Sequence, residues 1–308
     1  MQDKNMKKAT ITIGIPAYNE ELNIKFLLKS LLKQKVESAD ISEIIVISDG
    51  STDRTVEIAS SVRDERIKVI DQKARMGGRA VQNEIIKRAK GDILVMLDAD
   101  VIPVGSNFVD EIIKPILHDK DVGLVGANIV SAKPDTFVEK VISASHELKW
   151  ALYKRINNRD NIYLCHGRAR AFSRGLYRKI NWPQNAPEDA YSYLLCKKKG
   201  FKFIYASKAK VIFRSPANLA DHFKQSNRFV KGKKEMEKYF PASFVKKQYR
   251  YSKLLLAQTV TEYLLKNPVA IIGYIAITVY VRIFGIKDWV NHAKWDISPS
   301  TKKIIYEK

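Results

Sequence analysis

Residues 92–100 read DILVMLDAD, an apolar run that ends in two acidic side chains. A short, unbroken apolar run is typical of a strand that is covered on both faces of its sheet. We therefore predict a buried strand over Asp92–Leu97, with Asp98 and Asp100 just beyond its carboxyl end.

The segments before this run alternate between strand-like and helix-like patterns. Further strands are predicted at Thr10–Ile15, Ile44–Ser48 and Ile67–Ile70. Helices are predicted over Glu20–Lys33, from Ser51 or Thr52 to about Ser61, and over Arg79–Ala89. This alternation predicts an α/β fold, with a Rossmann-like and mostly parallel sheet, right-handed crossovers and flanking helices.

Polar segments follow three of the predicted strands. They are residues 16–20 (PAYNE), residues 49–53 (DGSTD) and residues 98–100 (DAD). Ligands of such sheets bind in the crevice beyond the carboxyl ends of the strands. We therefore expect these three segments to line one binding site.

The pair Asp98 and Asp100 predicts a metal site. In an extended chain these two side chains point the same way, and two neighbouring carboxylates repel each other unless a cation lies between them. Hard oxygen ligands suit Mg²⁺ or Mn²⁺, which usually also bind substrate phosphates. An isolated DxD triplet is most often a surface turn, but this one ends a strongly apolar strand.

Two other features allow more than one interpretation. Asp49 is suited to a hydrogen bond with a base or ribose, and equally to capping a turn or helix. The glycines before Arg79 would let backbone or guanidinium approach a phosphate, although adjacent glycines also occur in ordinary loops.

Four successive segments together resemble landmarks of the family 2 glycosyltransferases. They are ITIGIPAYNE, IIVISDGSTD, ARMGGRAVQNEIIKRAKGD and ILVMLDAD, in that order along the chain. The resemblance implies a GT-A fold, a nucleotide-sugar donor (UDP- or GDP-sugar) and inversion at the anomeric carbon. It also implies a set of donor-binding residues: Pro16, Ala17, Tyr18, Glu20, Asp49, Gly78 and Arg79, with Asp98, Ala99 and Asp100 holding the diphosphate through a metal.

A looser resemblance covers residues 160–230. Glu188 and Asp189 resemble the acidic general-base motif of the family, in which Thr often precedes the pair where this chain has Pro187. The resemblance implies that Asp189 is the catalytic base. A helix-start Asp, favoured by the helix dipole, is the structural alternative.

The remaining implied residues bind the acceptor. Gln225, Arg228 and Phe229 resemble a QxxRW motif with Phe in place of Trp. His166 and Gly167 lie where the family shapes its acceptor pocket, although a purely structural His is an equal alternative. Arg228 and Arg79 are further candidates for donating to the phosphates.

A base indicates what kind of acceptor is used. A polyprenyl phosphate is largely ionised at neutral pH, since its second pKa is about 6, and it needs little help from a base. A base therefore favours a hydroxyl acceptor, such as a lipid-linked sugar or a growing glycan. Transfer to a polyprenyl phosphate is the alternative.

Positive charge is concentrated in the last third of the chain. Residues 196–308 hold 24 Lys and Arg and 7 Asp and Glu, so they carry +17 of the total net charge of +21. Residues 267–281 contain no charge, and a helix over about 267–286 is predicted to span a membrane or to enter it as a re-entrant segment. A buried core helix is the alternative.

We therefore divide the chain into a catalytic domain, residues 1–235, and a membrane-associated region, residues 236–308. The expected location is the membrane surface with anionic lipid, with the catalytic domain on the cytoplasmic side, where nucleotide sugars are made. Two cysteines without a CxxC pair are consistent with a reducing compartment.

Two other classes of protein explain less of the sequence. A nucleotidyltransferase would usually carry a Gly-rich basic loop after the first strand, where this chain has PAYNE. A nucleic-acid-binding protein would explain the basic charge, but no zinc finger or RNA-binding aromatic signature is present. We therefore expect no nucleic-acid partner.

Overall fold

A computed structural model describes residues 8–284 and 299–302, without the side chains of residues 223–231, 281, 282, 284 and 299. The strands are β1 (Ala9–Ala17), β2 (Ala39–Ser48), β3 (Ile67–Asp71), β4 (Ile93–Leu97), β5 (Val101–Pro103), β6 (Val122–Ser131), β7 (Ala169–Ser173) and β8 (Lys202–Phe213). The helices are α1 (Ile24–Leu32), α2 (Thr55–Ser61), α3 (Gly78–Arg88), α4 (Phe108–His118), α5 (Phe137–Tyr153), α6 (Arg174–Tyr177), α7 (Glu188–Lys198), α8 (Leu219–Met236), α9 (Ala242–Gln248), α10 (Lys253–Lys266) and α11 (Pro268–Phe284).

The strands form a single sheet in the order β3-β2-β1-β4-β7-β6-β8-β5. Strands β1 to β4 are parallel to one another, and β6 is parallel to β8. The antiparallel pairs are β4 with β7, β7 with β6, and β8 with β5. The predicted α/β fold with a mostly parallel sheet is confirmed, and the antiparallel strands lie in its second half.

Two helices begin later than the sequence spacing predicts. Helix α1 begins at Ile24 rather than Glu20, after a turn over residues 21–23, and the Glu20 amide donates to the Thr55 hydroxyl at the start of α2. Ser51 and Thr52 do not cap α2, since their hydrogen bonds join them to Asn19 in the loop after β1. These hydrogen bonds hold the loops after β1 and β2 together.

The core lies on both faces of the sheet. Ile11, Ile13 and Ile15 of β1 are fully buried, as is the whole of β4. Helix α1 covers one part of the sheet with a row of buried leucines. This packing fixes the carboxyl ends of β1, β2 and β4 at one edge, where the polar segments follow.

Gly91 is required by close packing just before β4. A Cβ at this position would lie 2.5 Å from the backbone nitrogen of Thr12 and 2.9 Å from the carbonyl carbon of Ile11. The Gly91 amide also donates to the hydroxyl of Thr12 at 2.9 Å. The approach is between backbones, so a side-chain rotation does not relieve it.

Gly91→Ala is therefore expected to destabilise the fold by about 1–3 kcal/mol, as other overpacked cores are. Urea unfolding followed by circular dichroism measures this change. Gly78→Ala is the matched control, because nothing lies within 4 Å of a Cβ at Gly78. Equal stabilities of the two variants would contradict the packing argument.

The region after α8 divides into two parts by its packing. Met236, Phe240 and Val245 belong to the main core of the domain. A second apolar cluster joins α11 to α5 through residues such as Ile271 and Leu148. The predicted domain boundary at 235/236 stays a prediction. In the structure, the residues that follow α8 still pack in the main core, and packing in the second cluster begins with α10.

The predicted C-terminal helix exists over Pro268–Phe284. Gly285 and Ile286, which complete the predicted range, lie outside the described residues. Within residues 8–284 and 299–302, no helix has both the length and the apolar character needed to cross a bilayer.

Candidate active site

The loops after β1 and β2 form one rim of the site. The side-chain oxygen of Asn19 accepts from the Thr52 amide at 2.8 Å, and the Asn19 amide donates to the Ser51 hydroxyl at 3.1 Å. Asn19 adopts a positive φ of 53°, which an Asn tolerates in a tight turn. These bonds place the PAYNE and DGSTD segments side by side, as predicted.

Asp49 anchors the loop that precedes α3. Its buried carboxylate accepts hydrogen bonds from the amides of Met76, at 2.6 Å, and Gly77, at 2.9 Å. Asp49 therefore holds the loop that leads into Gly78, as a capping Asp does. Its predicted contact with the nucleoside stays a prediction.

Tyr18 and Arg75 form a flat surface at the same rim. The guanidinium carbon of Arg75 lies 3.9 Å from the centre of the Tyr18 ring, in a cation–π arrangement. Planar groups of this kind suit stacking on a nucleobase. Arg75 has no local sequence pattern that marks it, and only the fold brings it to Tyr18.

The acidic pair after β4 lies at the centre of the site. Asp98 and Asp100 are half-buried, and the Asp98 amide donates to the carbonyl of Arg168 in the approach to β7. Burial raises the pKa of Asp98 to about 7, with Asp100 and Glu188 adding to the effect and Arg168 opposing it. A cation between the two carboxylates would remove this penalty.

The residues present fit a divalent metal of the Mg²⁺ or Mn²⁺ type. Two carboxylates supply hard oxygen ligands, and such a metal ordinarily completes its shell with water and substrate phosphates. No group of three His, Cys, Asp or Glu side chains suited to a metal occurs in the part of the chain that the structure describes. A site built on Asp98 and Asp100 would therefore take its other ligands from the donor.

Glu20 is the third carboxylate of this cluster. Burial raises its pKa to about 7 against the opposing charge of Lys302, while Asp100 raises it further. The Lys302 ammonium contacts the Glu20 carboxylate and donates to the Tyr18 carbonyl at 3.0 Å. A cation from the far end of the chain is thus placed beside the predicted donor residues.

Residues 299–302 are held against the domain at two places. The Ser300 hydroxyl donates to the Asp221 carboxylate at 2.6 Å, and it accepts from the Ala217 amide at 3.1 Å. The side-chain amide of Asn23 donates to the Lys302 carbonyl. These bonds fix the tail segment 299–302 between the loop after β1 and the start of α8.

Glu188 and Asp189 are the first two residues of helix α7, and the predicted role of Asp189 as base stays a prediction. The Asp189 carboxylate accepts from the Ala190 amide at 2.7 Å. Burial raises the pKa of Asp189, the charge of Asp98 adds to the rise, and Arg170 opposes it. Strand β7, which pairs with β4, links this helix start to the acidic pair, because its Arg170 donates to the Glu188 carbonyl at 3.0 Å.

Arg170 is a fully buried cation beneath this cluster. Its guanidinium donates to the Glu188 carbonyl at 3.0 Å and to the Ser192 hydroxyl at 3.0 Å. Its charge favours the ionised forms of Asp98, Glu188 and Asp189. A charged residue in the middle of strand β7 gave no functional signal in the sequence.

Arg79 and Gly167 both meet the Glu188 side chain. Arg79 is buried, with a guanidinium nitrogen 3.9 Å from the Glu188 carboxylate and its Nε donating to the Gln184 carbonyl. A Cβ at Gly167 would lie 2.9 Å from the Glu188 carboxylate. The predicted contact of Arg79 with donor phosphates stays a prediction.

Gly167→Ala is expected to displace the Glu188 carboxylate and to lower kcat by about tenfold, since small displacements of a positioned site have effects of this size or larger. Steady-state kinetics with saturating donor measure it. Gly175→Ala is the control, because its Cβ would meet only Phe201 at 3.5 Å. Unchanged kcat in Gly167→Ala would show that the Glu188 position is unimportant.

The comparison with protein families decides the identity of the chain. The family described as "Glycosyl transferase family 2" matches residues 12–180, which extend from within β1 to beyond β7 and include the acidic pair. This chain is a family 2 glycosyltransferase. The predicted family and class of enzyme are confirmed.

Relatives of this glycosyltransferase match only in part. A glycosyltransferase of Haemophilus influenzae is 33% identical over 97 residues, which are 31% of this chain and 38% of that protein. The poly-beta-1,6-N-acetyl-D-glucosamine synthase of Staphylococcus aureus is 33% identical over 119 residues, 38% of this chain and 28% of that protein. The chain therefore matches less than two-fifths of the length of these relatives.

Solved structures share the fold. A mannosyltransferase from Pyrobaculum calidifontis, in complex with GDP-Man and Mn²⁺, has a TM-score of 0.60 at 19% identity, covering 91% of this chain and 77% of the other. Glucosyl-3-phosphoglycerate synthase from Mycobacterium tuberculosis, in complex with Mn²⁺, UDP and phosphoglyceric acid, has a TM-score of 0.51 at 20% identity. The match covers 73% of this chain and 77% of the other. The predicted GT-A fold is confirmed.

His166 of the glycosyltransferase lies in the segment just before strand β7. Burial lowers its pKa well below the ordinary value, and Arg168 and His146 lower it further, so the ring is neutral. The ring lies 6.2 Å from Trp150 of α5, centre to centre. Its acceptor role stays a prediction, and a neutral ring is suited to hydrogen bonding rather than to charge.

The QxxRF segment lies within α8 of the glycosyltransferase. Gln225, Arg228 and Phe229 occupy the helix, but their side chains lie outside the described part of the structure. Gly232, on the same helix, packs against the Pro187 ring just before Glu188. The predicted roles of the three residues stay predictions.

Proposed function

We propose that this glycosyltransferase moves one sugar from a UDP- or GDP-sugar to an acceptor hydroxyl, with inversion at the anomeric carbon. One observation carries the proposal: the segment leading into β7 joins the two predicted groups, since the Arg168 carbonyl accepts from the Asp98 amide and the Arg170 guanidinium donates to the Glu188 carbonyl, next to Asp189. Direct displacement needs both groups at the same reacting carbon.

The donor side is assigned to the rim built by the first two loops. Tyr18 and Arg75 would stack on the base, while Asp49 keeps the loop before α3 in place. Asp98 and Asp100 would hold Mg²⁺ or Mn²⁺, which supplies charge neutralisation to a departing diphosphate. The Lys302 ammonium adds a positive charge to the same region.

The acceptor side is assigned to Asp189. The acceptor oxygen bonds to the anomeric carbon as the bond from that carbon to the diphosphate breaks, and Asp189 takes the hydroxyl proton. Attack opposite the leaving group inverts the anomeric centre. Arg170 donates to the carbonyl of the neighbouring Glu188, and its charge favours the ionised form of Asp189, which is the form that accepts a proton.

A hydroxyl acceptor is favoured over a polyprenyl phosphate. An ionised phosphate is already a nucleophile, whereas a hydroxyl gains from a positioned base. Transfer to both acceptors by wild-type protein and by Asp189→Asn separates the two. The polyprenyl phosphate alternative would be favoured if both proteins transfer sugar only to the phosphate acceptor, and if Asp189→Asn does so at a rate comparable to that of the wild type.

We further propose that the enzyme works at the cytoplasmic face of a membrane, on a lipid-linked sugar or growing glycan. The support is the +17 charge of residues 196–308, which anionic lipid would attract. Nucleotide sugars are made in the cytosol, so the donor site must open to that side.

A donor screen tests the proposed reaction. Ligand binding raises Tm, so each of UDP, GDP and their sugars is added with and without Mn²⁺ and the thermal unfolding is followed. We expect one nucleotide to stabilise the protein strongly, and only with the metal. Absence of both stabilisation and turnover with every nucleotide sugar would overturn the proposal.

A further inference from the structure

Helix α11 presents a row of apolar side chains to solvent. Val269, Ile272, Ile275, Val279 and Ile283 are all exposed, and their spacing of three or four residues places them on one side of the helix. Ile272 alone has 59% of its surface exposed. We refer to these five residues as the α11 apolar face.

The opposite side of α11 is fixed to the catalytic domain. Ala270 and Ile271 are buried against Ala144 and Leu148 of α5. A Cβ at Gly273 would meet Val141 of α5 at 3.2 Å, so the helices are in close contact there. The α11 apolar face is therefore held in a fixed orientation relative to the active site.

The segment of sequence that contains this surface is rich in positive charge. Residues 239–284 contain six Lys and Arg and a single acid, Glu262. That acid is paired, with two of its oxygens 3.0 and 2.7 Å from the guanidinium of Arg155. Arg250 and Lys253 precede the exposed Leu254, and Lys266 follows Leu265, which is 81% exposed.

This combination is the composition of a surface that lies on anionic lipid. Apolar side chains enter the boundary between headgroups and acyl chains, while neighbouring cations bind the anionic headgroups. A protein partner would have to be equally apolar and acidic. A bilayer with anionic lipid supplies both properties without a specific shape.

The packing of α11 against α5 limits how α11 can be oriented relative to a bilayer. The described part of the helix, Pro268–Phe284, has 17 residues and a length of about 26 Å, against roughly 30 Å for the hydrocarbon core. Crossing the bilayer would also carry α5 inward, with the exposed Glu147 and with Lys149, whose ammonium lies 4.9 Å from the Tyr274 ring. Burying those charges in hydrocarbon is costly.

We propose that the α11 apolar face, with Leu254 and Leu265 of α10, lies in the surface of an anionic bilayer, with α11 parallel to the membrane plane. This deepens the membrane location proposed above and rests on it. It replaces the choice between a spanning and a re-entrant helix with a helix that does neither.

The orientation has a consequence for the acceptor. Helix α5 carries both the contacts with α11 and, at Trp150, the contact with His166. A bilayer on the far side of α11 is thus connected through one helix to the predicted acceptor pocket. A lipid-linked acceptor would approach the site from that side.

Binding to vesicles tests the surface. Full-chain protein is sedimented with vesicles of phosphatidylcholine alone, or with 30% phosphatidylglycerol (about a third of the lipid, enough for a strongly negative surface). We expect Ile272→Ser with Ile275→Ser to lower partitioning onto anionic vesicles by about a hundredfold. The matched control is Val104→Ser with Ile204→Ser, two exposed apolar residues elsewhere, which should bind as wild type.

Hydrolysis of the nucleotide sugar without vesicles is measured in parallel. Both double variants should retain it, since neither pair touches the proposed site. Vesicle binding without any hydrolysis would indicate a failure of the proposed reaction and not of the membrane surface. Wild-type binding by Ile272→Ser with Ile275→Ser would overturn the membrane surface itself.

Orientation is tested by depth and by sidedness. A fluorophore on Ala276→Cys should be quenched more by a quencher near the headgroup than by one at the end of the acyl chain, since such helices enter about 5–10 Å. A tag placed after Lys308 should be digested by protease added outside sealed vesicles. Protection of the tag would mean that α11 crosses the bilayer, and would overturn the proposed orientation.

A second copy of the chain is the competing occupant of this face. Light scattering after size exclusion gives the mass of wild type and of Ile272→Ser with Ile275→Ser. A single mass for both proteins supports the lipid assignment. A wild-type dimer that the variant loses, together with unchanged vesicle binding, would assign the face to self-association instead.

Discussion

Asp100→Ala is expected to lower transfer by on the order of 10³-fold or more, to below detection in most assays. The variant removes one of the two carboxylates assigned to the metal and diphosphate. A metal contributes several kcal/mol of charge stabilisation, and each 1.4 kcal/mol is a factor of ten in rate. Nucleoside diphosphate binding should weaken in parallel.

Folding of this variant should be intact, because Asp100 is half-buried and repels its neighbours Asp98 and Glu20. Thermal unfolding checks this directly. Asp121→Ala is the matched control, since it removes a carboxylate that is paired with Lys202 far from the site. Full activity of the wild type in excess EDTA would show that no metal is needed.

Asp189→Asn is expected to lower kcat by about 10²–10⁴-fold while the donor affinity stays near the wild-type value. The amide keeps the shape of the side chain and the bond with the Ala190 amide, but it does not accept the acceptor proton. Initial rates at saturating donor and acceptor measure kcat, and thermal shift with nucleotide measures donor binding. A collapse of donor binding would place Asp189 in the donor site.

The pH dependence gives an independent check of the same residue. Burial raises the pKa of Asp189, so its carboxyl stays protonated to a higher pH than an ordinary Asp. A base must be deprotonated, so kcat should fall as the pH is lowered through this raised pKa. Asp189→Asn should lose that acid limb, whereas a limb that persists unchanged would belong to another group.

Local sequence patterns predict the part of the site that lies at the carboxyl ends of β1, β2 and β4. The run over β4 is buried throughout, and the acidic pair follows it directly. The segments after β1 and β2 meet it because parallel strands share a carboxyl edge. These positions follow from short-range hydrophobic patterning and from the rules of α/β topology, which a single sequence displays.

The remainder of the site depends on contacts between distant segments. Arg170 lies in a strand, where its charge conflicts with the local pattern, and only its bonds to the Glu188 carbonyl and Ser192 explain it. Arg75 is positioned by the loop before α3, which the Asp49 carboxylate holds through the amides of Met76 and Gly77. No spacing rule connects such residues, so the sequence alone did not single them out.

The C-terminal region shows the same division. A helix near residue 270 was predicted from an uncharged run, and it exists. Which side of it faces the domain depends on α5, more than a hundred residues earlier in the chain. The orientation that matters for the membrane was therefore not readable from the apolar pattern.

The contact between Glu20 and Lys302 joins positions 282 residues apart. On a ribosome, strands β1 to β4 emerge first and can form their parallel sheet, because domains generally begin to fold as they are synthesised. The surroundings of Glu20, however, are finished only after residue 302 has been synthesised and released. A nascent or prematurely terminated chain would carry the donor loops without their tail cation, so synthesis itself sets the moment at which the donor region is complete.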